Sequence, residues 1–194
     1  MAACTTSQPA ATTKSATPST SGARTNTVTV PVPATPVEDY KSAGQLPAYN
    51  VDSMVQSPKL KEYVNVALQN LGSNATVTQQ GEAIMINFSR ADIFGIGNYQ
   101  PSASSQSIFL KLVKTMQDIP NSKVIIAGDR PKVNPTAAEK TEAHSRAATV
   151  AGFLSKGGVD KSRIYIDDFS TKFPQAAMAN ARSASTVDFL VVPE

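Results

Sequence analysis

The chain has 194 residues, 41% of them hydrophobic and 17% charged, with a net charge of +3. That composition fits one domain, or a smaller one carrying an unpacked tail. One cysteine and one histidine exclude an internal disulfide framework, a zinc site built on paired cysteines and a histidine-rich metal cluster, so no metal or cofactor is expected. No apolar run reaches the length of a spanning helix. A weakly basic chain with 6% aromatic residues and no Trp offers neither the charge nor the stacking surface that nucleic acid needs.

Residues 1–37 contain no Leu, Ile, Phe, Tyr or Trp and are rich in Thr, Ser, Ala and Pro. Such a stretch cannot bury enough apolar surface to offset its ordering entropy, so it reads as a disordered tether, extended around Pro31 and Pro33. Residues 38–55 read as a looser approach, and the division expected is a tether over 1–50 and a folded domain over 51–194. Cys4, in Met1-Ala2-Ala3-Cys4, resembles the end of a bacterial lipoprotein signal, in which the cysteine carries the lipid. A Thr/Ser/Pro tether behind it is what a lipid-anchored domain needs to stand away from a membrane.

Ser57-Pro58 reads as a helix start, with a capping hydroxyl and Pro at the first helical position. Leu60, Tyr63, Val64, Ala67, Leu68 and Leu71 recur at helical spacing, and Gly72 ends the helix. Residues 75–88 read as a hairpin turning at Gln80-Gly81, with Ile84, Ile86 and Phe88 on one buried face. Residues 89–100 read as a loop. Pro101-Ser102 opens a second helix, with Ile108, Leu112, Val113, Met116 and Ile119 on one stripe, stopped by Pro120-Asn121. KVIIAG (123–128) is a short apolar strand of a sheet interior. A third helix is expected from Thr136 to Lys156, with Ala143, Ala147, Val150, Ala151 and Leu154 inward and Gly157-Gly158 as its cap. Strands at 163–167 and 187–192 follow. The fold class expected is α/β (α+β): a βαβαββ core of a mixed sheet with helices on one face, preceded by a helix and the tether.

Catalytic chemistry finds little material. Gly-x-Ser-x-Gly and phosphate-loop motifs are absent, and Phe94-Gly95-Ile96-Gly97 lacks the third glycine of a dinucleotide loop. Asp167 and Asp168 point to opposite strand faces and read as a solvated strand end. His144 has no paired nucleophile and reads as a surface residue. The chain reads as a non-enzyme.

From Glu82 to Val192 the chain resembles the OmpA-like peptidoglycan-associated domain. The resemblance rests on IMINF, the helix to Met116, KVIIAG, Ser145-Arg146-Ala147-Ala148-Thr149-Val150, then Phe153, Leu154, Gly157, Gly158, Val159 and Val187-Asp188-Phe189. The family holds the diaminopimelate of peptidoglycan through an Asp and an Arg, a carboxylate and a guanidinium gripping a zwitterionic end. Arg146 matches the family's arginine. Its aspartate position is taken by Pro131, with Asp129 two residues earlier, and its Asn-Arg-Arg cluster by Ala184-Ser185-Thr186, with Arg182 upstream. The resemblance therefore implies a kept fold and a worn pocket, in which peptidoglycan binding is weak or lost and rests on Arg146 with Asp129 or Arg182. The function implied is an outer-membrane lipoprotein serving as a structural component of an envelope-spanning complex, of the type IVB secretion kind. The alternative is a lipoprotein that anchors the outer membrane to the cell wall. The partners implied are envelope or secretion-complex proteins, peptidoglycan, and the membrane through the lipid.

Overall fold

The computed structural model describes residues 40–46, 57–95, 101–129, 135–167 and 186–194. They form one six-stranded mixed sheet of order β1-β5-β4-β6-β3-β2, with the helices on one face. The strands are β1 (Lys41–Ser42), β2 (Thr76–Gln80), β3 (Ala83–Ser89), β4 (Ser122–Ala127), β5 (Ile164–Ile166) and β6 (Thr186–Pro193). The helices are α1 (Pro58–Leu71), α2 (Arg90–Phe94), α3 (Ser105–Asp118) and α4 (Ala137–Lys156). The last strand, β6, inserts between β3 and β4 and runs antiparallel to both, while β4 and β5 are parallel neighbours joined through α4. This is the expected βαβαββ arrangement.

The main core lies between the sheet and the helices. Ile84, Ile86, Phe88, Val124, Ile126, Ile164, Val187, Phe189 and Val191 face Leu60, Ala67, Leu112, Met116, Ala147, Val150 and Leu154. Phe88 and Phe189 meet edge to face at 5.5 Å, the geometry favoured by ring quadrupoles. A smaller cluster of Ala43, Leu46, Ala83, Met85, Ile125, Ala127, Tyr165 and Leu190 covers the opposite face. β3 is therefore buried on both sides, where alternation of Ile84, Ile86 and Phe88 suggested one.

Four local readings change. Residues 40–46, placed by sequence in the tether and approach segment, join the sheet: β1 pairs in parallel with β5, and Ala43 and Leu46 are buried. Two residues of strand are too few to show a period. Residues 90–94, expected as loop, form α2, which buries Ile93 and Phe94 and ends at Gly95 with φ of 71°. The second helix begins at Ser105 rather than at Pro101-Ser102. At α1 the Ser57 side chain makes no capping bond, so Pro58 alone pre-sets the first turn; Leu68, at the edge of the stripe, stays 45% exposed. α4 starts as read, in a capping box: the Thr136 hydroxyl accepts from Glu139 N–H while the Glu139 carboxylate accepts from Thr136 N–H.

Candidate functional site

The site begins with a close approach. Gly128 follows β4, and a Cβ there would lie 1.9 Å from the Ala143 carbonyl oxygen and 2.6 Å from the Ala147 nitrogen. Only glycine lets α4 lie this near the end of β4, and alanines at 143 and 147 leave its surface flat. The contact sets the next residue, Asp129, beside Arg146 on the same helix.

Arg146 is 6% exposed although it is charged. Its Nη1 donates to Asp129 Oδ2 at 3.2 Å and its Nη2 to Glu142 Oε2, one helical turn earlier, also at 3.2 Å. The same Asp129 oxygen accepts from Arg90 Nη1 at 3.0 Å. Arg90 opens α2, so three elements (the end of β4, α2 and α4) supply one ladder: Arg90, Asp129, Arg146, Glu142. Exposure is graded along it, with side chains of Arg146 and Asp129 at 7% and 16% and those of Arg90 and Glu142 at 32% and 42%. The inner pair is held in a low-dielectric setting, where charge-assisted bonds are strong and an unpaired charge is costly.

Of the residues read from the sequence, Arg146 and Asp129 come together. Arg182 and Cys4 lie outside the described residues, as do Pro131 and Asp168. Asp167, expected as a solvated strand end, is instead 2% exposed, and its N–H donates to the Ile126 carbonyl in the β4–β5 ladder. His144 is half-buried on α4 and flanks the site. Arg90 and Glu142 were not read as site residues. Glu142 had a signal, the i,i+4 spacing to Arg146; Arg90 is 39 positions from Asp129 and had none. Among the described residues no group of three or more His, Cys, Asp or Glu could hold a metal, and no helix is long and apolar enough to cross a membrane.

A second concavity, of about 370 Å³, lies between α3 and α4. Its floor is Phe109 stacked on Phe153, with centroids 4.4 Å apart, and Leu110 stands 65% exposed at its rim. Lys156 is the one charged residue among the described residues of its wall.

No family model matches the chain, and no curated protein matches it. Among solved structures it is similar to a MotB-like protein from Desulfovibrio vulgaris, with a TM-score of 0.54 at 14% identity, covering 70% of this chain and 92% of that one. It also aligns with the cell wall anchor of the T6SS from Pseudomonas aeruginosa (0.49, 16%, covering 71% and 99%). A third alignment is with the OmpA-like domain of FopA1 from Francisella tularensis (0.40, 16%, covering 64% and 84%). At such identity the first likeness is one of fold, and function has to be argued from the site.

Proposed function

We propose that this chain is a non-catalytic component of a bacterial envelope whose domain contacts peptidoglycan through Asp129 and Arg146. The observation that carries the reading is their pairing: a nearly buried guanidinium faces a carboxylate at 3.2 Å, the two charges that hold a zwitterionic amino-acid end. Asp129 thus stands in for the aspartate whose position Pro131 occupies. The ligand's carboxylate would take Arg146 and its ammonium would take Asp129 or Glu142. The exchange breaks two existing ion pairs, so the net gain is smaller than for an open pocket and binding is weak. Weak wall contact suits a domain whose place is also fixed by neighbouring proteins. That supports a structural role in an envelope-spanning complex, finer still one of the type IVB kind with small DotK/IcmN-like lipoproteins. Attachment to the outer membrane through Cys4 belongs to the same proposal.

The test is co-sedimentation with purified diaminopimelate-type sacculi. Wild type should pellet with them, and Arg146→Gln and Asp129→Asn should not. Equal retention of all three, or none of wild type, would reject the site.

A further inference from the structure

We propose that Arg90 is a second anion-binding residue of this site, and that the ligand selected is an amino-acid end with two free carboxylates beside its ammonium. This rests on the peptidoglycan reading above and names its ligand more closely.

The ladder carries more cationic reach than a simple zwitterion needs. Two guanidinium groups from separate elements converge on one oxygen, Asp129 Oδ2, at 3.0 and 3.2 Å. Arg146 and Asp129 together match one carboxylate and one ammonium, which leaves Arg90 as an additional cation at the mouth. Arg146 divides its donors between two carboxylates. Arg90 makes one hydrogen bond among the described residues, through Nη1. A guanidinium has five N–H donors in a rigid fork that fits a carboxylate side-on, so Arg90 keeps a donor edge for a second one. At 32% side-chain exposure against 7%, it is also the arginine that an incoming ligand meets first. A ligand seated with its ammonium on Asp129 and one carboxylate on Arg146 would place its second carboxylate toward Arg90. A diamino dicarboxylic acid has this charge pattern when it is the last residue of a stem peptide, with an ammonium and a carboxylate at one centre and the chain's terminal carboxylate at the other, and loses it when that terminal carboxylate becomes an amide.

The experiment is calorimetric titration of the full chain with two probes: the tripeptide L-Ala-γ-D-Glu-meso-diaminopimelate, and the same peptide amidated at its carboxyl-terminal carboxylate, with the ammonium and carboxylate of the other diaminopimelate centre left free. Wild type should prefer the free acid by about tenfold, the value of one charge-assisted pair. Arg90→Gln should bring the free acid down to the amide and leave the amide unchanged, while Arg90→Lys should keep part of the preference. Equal binding of both probes by wild type, with loss in Arg146→Gln, would overturn the role of Arg90 and leave the peptidoglycan reading standing. An equal drop for both probes in Arg90→Gln would make Arg90 a structural brace and overturn it too. Binding of neither probe by wild type would remove the reading of the site together with this inference. Were Arg90→Gln unable to fold, the wild-type preference and the Arg90→Lys ratio still decide.

Discussion

At Gly128 the site depends on a missing methyl group. With the Ala143 carbonyl 1.9 Å from the position of a Cβ, Gly128→Ala must push α4 off the sheet. We expect a loss of about 2–3 kcal/mol in urea unfolding, the usual cost of overpacking a tight contact. The same shift would move Arg146 away from Asp129, so peptidoglycan co-sedimentation should fall as well. Arg146 is the other sensitive position. Arg146→Ala removes charge-assisted hydrogen bonds to Asp129 and Glu142 and leaves Arg90 to hold Asp129, so it should cost about 1.5–3 kcal/mol, read as a lowered denaturation midpoint. Asp129→Asn keeps a hydrogen-bonding group opposite Arg146, and the carboxylate of Glu142 still balances the guanidinium, so it should cost less. If Arg146→Ala were neutral to stability, the pair would be a surface contact and its enclosure would mean little. Arg146 was legible in the sequence through its neighbours, Ser145, Ala147 and Ala148. Its carboxylate partner was not settled, because sequence spacing places Asp129 two residues from the expected position and cannot show how the chain after Gly128 turns.

Among the elements, α3 is tied down by a residue far along the chain. Arg163 Nε donates to the Ser122 carbonyl at 2.7 Å, and its Nη2 donates to the carbonyls of Met116 and Ile119 at 3.0 and 2.6 Å. A cation at the carboxyl end of a helix meets both the orphan carbonyls and the negative end of the macrodipole; burial pulls the Arg163 guanidinium below its ordinary value, with Asp160 opposing. Arg163→Met should therefore cost about 2–3 kcal/mol, since several carbonyls lose their donor at once, measured by chemical unfolding. α1 and α3 are clasped through Asp118, which accepts from Lys114 and from Asn70 Nδ2. Those bonds, Lys114's first, hold the Asp118 carboxyl below the usual carboxylate range. A carboxyl with a lower value folded than unfolded stabilises above its unfolded value, and that contribution goes as pH falls through the folded one. Acid titration of stability should thus be shallower for Asp118→Asn than for wild type; identical curves would remove the clasp. Longer elements were readable because their periods are long: α4 over twenty residues and the β2–β3 hairpin around Gly81 came out as expected. α2, with five residues, and β1, with two, are too short to show a period, and their burial is set by tertiary contacts that the local sequence does not encode.

For the whole molecule, residues 1–37 are set apart by composition, rich in Thr, Ser, Ala and Pro and without Leu, Ile, Phe, Tyr or Trp. Residues before about Val37 should give narrow, poorly dispersed amide signals with fast exchange, since they carry no large apolar side chain to bury. Native protein purified from envelopes should carry an acylated Cys4 by mass spectrometry, with several chains for stable anchoring; an unmodified Cys4 would detach the domain from the membrane in this account. The measurement that tests the central claim most directly is calorimetric titration of a diaminopimelate-containing muropeptide into wild type and Arg146→Gln, both shown folded by circular dichroism. Wild type should show weak, saturable binding that Arg146→Gln abolishes. Absence of saturable heat from wild type, or equal binding by the variant, would contradict it.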